Sequence, residues 1–111
     1  MKDWKDRVDF AVTACDADGV ITEMNPKACE TFAKYGGREL IGKSLLGCHN
    51  ENSRRKIKEL LAGAPPNAYT IEKNGVKKLV YQAPFYENGK PASLVELSFV
   101  IPAELPHFVR K

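Results

Sequence analysis

Residues 10–25, "FAVTACDADGVITEMN", consist of two mostly apolar stretches separated by a short polar one, in the manner of two short strands. Residues with strong strand preference lie on both sides of a polar segment that contains Asp16, Asp18 and Gly19. β-Branched and aromatic side chains favour strands, whereas Asp and Gly favour turns. The pattern therefore predicts a strand–turn–strand hairpin over this stretch.

Helical patterns lie on both sides of this hairpin. Residues 3–9, "DWKDRVD", place Trp4 and Val8 one turn apart, which predicts a short amphipathic helix. After the hairpin, Asn25 is a favourable N-cap and Pro26 suits the first helical position. A second helix is therefore expected to begin there.

The middle of the chain reads as helices broken by glycine. The helix over residues 26–35 is expected to stop at a Gly-Gly pair, and residues 38–47 to form one or two helical turns. A longer basic helix follows and ends at Gly63. Its inward stripe is predicted to consist of Ile57, Leu60 and Leu61.

The C-terminal part is all strand and turn. Two Asn-Gly dipeptides, at 74–75 and 88–89, each predict a two-residue hairpin loop. Glu72 then faces Lys77 and Glu87 faces Lys90, so both pairs have complementary charge. If residues are counted outwards from the Asn88-Gly89 loop, Ala83 is expected to face Leu94, and Val80 to face Leu97.

That register divides the strand residues between two faces. The face predicted to point inward carries Tyr69, Ile71, Val80, Val95, Leu97, Phe99 and Ile101. The other face is less polar than a solvated face should be, so the N-terminal helix, a second copy of the chain or both are expected to cover it. The residues predicted to form a dimer interface are Trp4, Val8, Leu79, Tyr81 and Leu94.

The order of elements predicts an α+β fold: one five-stranded antiparallel sheet with short helices on one face. The chain of 111 residues suits one domain, divided into an N-terminal helix and dimerisation segment (1–9), the domain itself (10–103) and a tail (104–111). A net charge of +3 does not indicate nucleic-acid binding, and no stretch reads as a signal peptide or membrane span. Three widely spaced cysteines indicate a reducing cytoplasm.

Two motifs on this framework resemble the PAS domain family. They are "D-x-D-G-x-I-x-x-x-N" at 16–25 and "G-x-x-E-L-I-G-K" at 36–43, and the resemblance covers about residues 10–101. It implies a non-enzymatic sensory module with a cavity between sheet and helices, which dimerises through an N-terminal helix and the outer sheet face. With no output domain in the chain, signalling is expected through a protein partner in trans, including a role in regulating transcription.

Periodicity and the resemblance together predict which residues line the cavity. They are Phe32, Ile41, Leu45, His49, Ile57, Tyr69, Ile71, Val80, Val95 and Leu97. The expected occupant is a small organic ligand, no ligand at all, or haem.

Cys48 and His49 are the candidate haem ligands, because imidazole and thiolate both bind haem iron. The competing interpretation is that His49 hydrogen-bonds at the helix entrance while Cys48 packs as a small apolar residue. The second is favoured because a lone histidine identifies no metal.

Other chemistry is less well supported. The three cysteines and two histidines include no short metal-binding pair, and Asp16, Asp18 and Gly19 lack the spacing of a calcium loop. Leu45 occupies the position of the reactive cysteine in light-sensing PAS relatives, so flavin adduct formation is not expected. An enzyme with His49 as general base would need a second placed acid or nucleophile, and the sequence shows none. The basic run 54–58 fits a solvated helix face.

Overall fold

The computed structural model describes residues 3–45 and 51–111. The strands are β1 (Ala11–Asp16), β2 (Ile21–Met24), β3 (Asn67–Lys73), β4 (Val76–Glu87) and β5 (Lys90–Ile101), and the α-helices are α1 (Pro26–Thr31) and α2 (Glu51–Leu61). Short 3₁₀ helices cover Trp4–Asp6, Ala33–Tyr35 and Gly37–Leu40. Among these residues, no helix is both long and apolar enough to cross a membrane.

The five strands form one antiparallel sheet in the order β2-β1-β5-β4-β3. The C-terminal meander therefore joins the N-terminal hairpin through β5, which pairs with β1 at the centre of the sheet. The helices pack on one side, so the predicted α+β architecture is confirmed.

The carboxylate of Asp16 stabilises the turn of the first hairpin. Its Oδ1 accepts hydrogen bonds from the backbone N–H groups of Asp18 (2.9 Å) and Val20 (3.0 Å), and Gly19 adopts a positive φ of 84°. This is the side-chain-to-backbone bonding that favours Asp in turns. The Asp16 carboxylate thus bonds to the backbone of the turn, which agrees with the predicted hairpin.

Asn25 links the hairpin to α1 and to the N-terminal segment. Its Oδ1 accepts from the N–H groups of Ala28 and Val12, both at 2.9 Å, and its Nδ2 donates to the carbonyls of Lys5 (2.7 Å) and Phe10 (2.9 Å). The predicted N-cap is confirmed. The side chain also fastens the start of β1 and the segment before it.

The predicted helices at 3–9 and 26–35 are shorter in the structure. The first is a single 3₁₀ turn, Trp4–Asp6, because the carbonyl of Lys5 accepts from Asn25 and the chain then turns towards β1. The second ends at Thr31 and continues as a 3₁₀ turn that stops at Gly36, whose φ of 116° is left-handed.

Both Asn-Gly turns are present. Asn74 and Gly75, like Asn88 and Gly89, have positive φ values, as a two-residue loop of this type requires. Glu72 pairs with Lys77 and Glu87 with Lys90, as predicted.

A β-bulge near the second turn changes the register of β5. Tyr86 pairs with Pro91 but Phe85 pairs with Ser93, so Ala92 is an extra residue on β5. Val80 consequently faces Ser98 instead of Leu97, and Ala83 faces Val95 instead of Leu94. Because a shift of one residue turns every side chain of a strand to the opposite face, the predicted faces of β5 are wrong. The outward residues are Val95, Leu97, Phe99 and Ile101, and the inward ones are Leu94, Glu96, Ser98 and Val100.

The core has two parts on the inner face of the sheet. One, under α1, consists of Ala11, Ile21, Met24, Ala28 and Leu40. The other, under α2, consists of Cys15, Ile57, Leu60 and Leu94. Leu94 is only 1% exposed, so its predicted place in a dimer interface is wrong: the bulge turns it into the core.

Candidate functional site: a cavity between sheet and helices

A cavity of about 580 Å³ lies between the inner face of the sheet and the segment that runs from α1 to residue 45. This volume is within the range of about 300–1,000 Å³ that is typical of small-molecule pockets. Its wall is mostly apolar, with a few polar and charged side chains. The lining residues are Thr13, Ile21, Met24, Thr31, Phe32, Tyr35, Leu40, Lys43, Leu45, Tyr69, Ile71, Lys78, Val80, Glu96 and Ser98.

The cavity exists because the two helices cover different parts of the sheet. Ile57 and Leu60 of α2 pack against Cys15 and Leu94, at one end of the inner face. The rest of that face, where Val80 and Ser98 are neighbours, is part of the cavity wall. The sheet thus supplies a rigid floor, and the short segments after α1 supply the opposite wall.

Five of the predicted lining residues meet at this cavity. They are Phe32, Leu45, Tyr69, Ile71 and Val80. Tyr69 and Ile71 are partly exposed on the edge strand β3, so the cavity opens towards that edge.

Four other predicted lining residues lie elsewhere. Ile57 is buried in the core under α2. Ile41 follows the 3₁₀ helix that ends at the buried Leu40, and it is 37% exposed, outside the cavity. Val95 and Leu97 lie on the outer sheet face because of the bulge.

The predictions for Cys48 and His49 fall outside the described residues. Among the lining residues the structure describes, neither a histidine nor a cysteine contributes to the cavity wall. The described part of the wall therefore offers no histidine or cysteine that could bind haem iron. The same residues contain no cluster of histidine, cysteine and carboxylate side chains that could hold a metal ion.

The polar side of the cavity was not predicted from the sequence. Glu96 and Ser98 reach it from β5, Lys78 from β4 and Lys43 from the loop before α2. Leu94, Glu96 and Ser98 alternate along β5 and could have indicated the polar groups of the cavity. However, these residues are predicted to point inward only if the extra residue Ala92 is taken into account.

A chain of side-chain hydrogen bonds crosses three strands on the inner face. Asn67 Nδ2 on β3 donates to Gln82 Oε1 (3.1 Å), and Gln82 Nε2 on β4 donates to Glu96 Oε2 on β5 (2.8 Å). Gln82 is buried. Since a carboxylate only accepts hydrogen bonds, Glu96 fixes which end of the Gln82 amide faces it. The chain holds the Glu96 carboxylate in a defined place at the cavity floor.

Burial and the charge of Glu96 shift the ionisation of neighbouring groups. Burial, with a smaller contribution from Glu96, raises the pKa of the Tyr69 phenol, which therefore remains a neutral hydrogen-bond donor at neutral pH. Burial also raises the pKa of the Cys15 thiol to about 11, against the opposing effect of a backbone hydrogen bond at Leu94. A buried neutral thiol is a poor nucleophile, so Cys15 is a structural residue.

Comparison with known proteins identifies the fold family of this architecture. A family model described as the PAS fold matches residues 6–78. No curated protein sequence matches the chain significantly.

Solved structures share the fold at low sequence identity. The C-terminal domain of a Streptococcus mutans protein superposes with a TM-score of 0.70 at 17% identity, covering 86% of this chain and 78% of that one. A sensory box sensor histidine kinase from Vibrio cholerae gives 0.63 at 18%, covering 91% and 89%. The Aer2 receptor of Vibrio cholerae, described as a dual PAS-heme oxygen sensor, gives 0.63 at 16%, covering 84% and 95%. At these identities the likeness concerns the fold.

Proposed function

The chain belongs to the PAS family, and on that premise we propose that it is a sensory module which binds a small organic ligand in the cavity between sheet and helices. Ligand binding would change the helical wall or the sheet, and the change would pass to a protein partner by association in the cytoplasm. On this account the output of the chain is protein association instead of catalysis.

One observation carries this proposal: a drug-sized, mostly apolar cavity with a few fixed polar groups. Such a combination is the usual composition of a small-molecule site, in which apolar walls supply affinity and convergent polar groups supply orientation. Glu96, held by the buried Gln82, is a polar group of this kind.

We predict that freshly purified protein retains a small molecule. Native mass spectrometry should show a mass above that of the polypeptide, and the excess should disappear on denaturation. Ser98→Trp should abolish it, since Ser98 lines the cavity and the larger side chain would fill it. Ser93→Trp is the matched control, because Ser93 lies on the same strand but on the opposite face. Bare polypeptide mass in the wild type, or retention by Ser98→Trp, would contradict ligand binding here.

The outer face of the sheet is the proposed dimer surface. The bulge makes this face more apolar than the sequence predicted, since Leu97 and Phe99 pair there with Tyr81 and Leu79. Phe10 extends the surface by packing on Phe99, with ring centroids 4.7 Å apart. Tyr81 is 39% exposed in the single chain. A continuous, partly exposed apolar surface of this kind favours association with a second copy. The proposed interface also includes Trp4 and Val8 of the N-terminal segment.

Tyr81→Glu should therefore weaken the dimer. A charge placed at the centre of an apolar interface must be desolvated without a partner, so we expect a rise of at least about tenfold in the dimer dissociation constant. Analytical ultracentrifugation over a concentration series measures it. Tyr35→Glu, the same change at an exposed residue beside the cavity, is the control and should leave the dimer intact. A wild type that is monomeric throughout, or equal dissociation constants for wild type and Tyr81→Glu, would rule out this surface.

A further inference from the structure

We infer that the ligand carries a positively charged nitrogen, or an N–H group that donates a hydrogen bond, and that this group binds the Glu96 carboxylate. This inference rests on the proposed function, because it assigns the chemistry of the ligand that the cavity would hold. Four features of the described residues support it.

The first is a carboxylate oxygen of Glu96 to which no described side chain donates. Glu96 lines the cavity from the central strand β5, and Gln82 donates to its Oε2. Within the described residues, no side chain donates to Oε1, and no buried side-chain oxygen lacks a hydrogen-bond partner. Oε1 therefore has no side-chain donor among the described residues, and its side chain lines the cavity. A carboxylate can accept at both oxygens, so Glu96 retains capacity for a donor from a ligand.

The second is a negative charge that has no salt-bridge partner in the described part of the chain. Glu96 forms no salt bridge in residues 3–45 and 51–111, and its negative charge contributes to the raised pKa of Tyr69. A carboxylate beside apolar walls gains more from an opposite charge than one in water, because the local dielectric is lower. A ligand cation would supply that partner.

The third is the position of the lysines. Lys78 pairs with Val100, which is four residues along β5 from Glu96, or about 13 Å at the rise of a strand. Lys43 is exposed on the helical side of the cavity. Neither lysine forms an ion pair with Glu96 within the described residues. Lys78 makes its end of the cavity positive, so the cation of the ligand is best placed at Glu96.

The fourth is the fixed polarity of the floor. Asn67 donates to Gln82, and Gln82 donates to Glu96, so the amide that faces Glu96 is already used. Of these three linked side chains, the one that lines the cavity is Glu96, and its free group is an acceptor. Phe32 and Tyr69 line the same cavity, and aromatic rings also attract cations. The site therefore selects a donor attached to a flat apolar body.

Three compounds with one biphenyl body test this selectivity: biphenyl-4-ylmethylamine, biphenyl-4-ylmethanol and biphenyl-4-carboxylic acid. Calorimetric titration of the wild-type protein should show the amine binding at least about tenfold more tightly than the acid, the gain typical of one charge-assisted hydrogen bond. Glu96→Gln should remove that preference and change the affinity for the alcohol by less than about threefold. Glu72→Gln, at an exposed residue of β3, should change nothing.

The outcomes separate this inference from the proposed function. If the acid binds as tightly as the amine, or Glu96→Gln weakens all three compounds equally, the inference is wrong and the cavity is still a binding site. If a retained natural ligand blocks the titration, native mass spectrometry decides: Glu96→Gln should lose that molecule, and its retention would overturn the inference alone. If no compound binds and the wild type retains nothing, both proposals fail. Thermal unfolding of Glu96→Gln verifies that the variant is folded.

Discussion

Replacing Asn25 with alanine should lower the free energy of unfolding by about 3 kcal/mol or more. The side chain is 4% exposed and makes four hydrogen bonds to backbone groups of the N-terminal segment, β1 and α1. Loss of an N-cap alone costs about 1 kcal/mol, and each buried backbone group left without a partner costs about 1–3 kcal/mol. Because these bonds join three elements, their loss should affect the whole fold.

Urea-induced unfolding measures the effect, and two further variants make it specific. Asn52→Ala, the same change at an exposed residue of α2, should alter stability by less than about 0.5 kcal/mol. Asn25→Asp keeps a side chain that can accept from Val12 and Ala28 but loses both donated bonds, so it should also be destabilised. An Asn25→Ala protein as stable as Asn52→Ala would show that Asn25 does not have this role.

Leu94→Ala should cost about 2–5 kcal/mol, the usual range for a fully buried leucine. Leu94 is 1% exposed and packs against Cys15, Ile57 and Leu60 under α2. Truncation leaves a cavity that a sheet in contact with a helix cannot easily close. This result distinguishes a core residue from an interface residue, because truncation at a dimer surface would weaken association while leaving most of the monomer stability.

The same unfolding experiment measures Leu94→Ala. Val100→Ala is its control: Val100 lies on the same strand and the same face but is 66% exposed. It should lose less than about 1 kcal/mol, since little apolar area is removed from contact. Equal losses in the two variants would contradict the register of β5 that the bulge creates.

Local signals in the sequence were enough to predict most of the architecture. Asn25 directly before a proline is a strong helix-start signal, and the Asn-Gly pairs can form few other turns, so α1 and both C-terminal hairpins were predictable. The arrangement of five antiparallel strands then followed from their order. Helix caps and tight turns depend on residues that are adjacent in the sequence, so they can be predicted from it directly.

The bulge at Ala92 was not predictable in this way. Simple counting from Asn88-Gly89 gives the correct pairing of Glu87 with Lys90, but the extra residue reverses every later position of β5. For this reason Val95 and Leu97 were predicted to line the cavity and Leu94 to lie in the interface. Glu96 was not predicted as a cavity residue, because a charged residue is expected on a face that is predicted to point outward.

The correction links the two proposed surfaces of the molecule. The same one-residue shift that places Glu96 in the cavity also places Leu97 and Phe99 on the outer face. The ligand site and the dimer surface thus use alternate residues of one central strand. A ligand that moves β5 would act on both faces at once, which is the physical route by which we expect binding to reach a partner.

A crystal structure of the protein as purified would show whether the cavity holds a ligand. We expect electron density for a small molecule between Val80 and Ser98 on the sheet and Phe32 on the helical side, with a donor group within hydrogen-bond distance of Glu96 Oε1. A structure in which the protein's own side chains fill this space, with the inner face of β5 closed by the helices, would contradict this expectation.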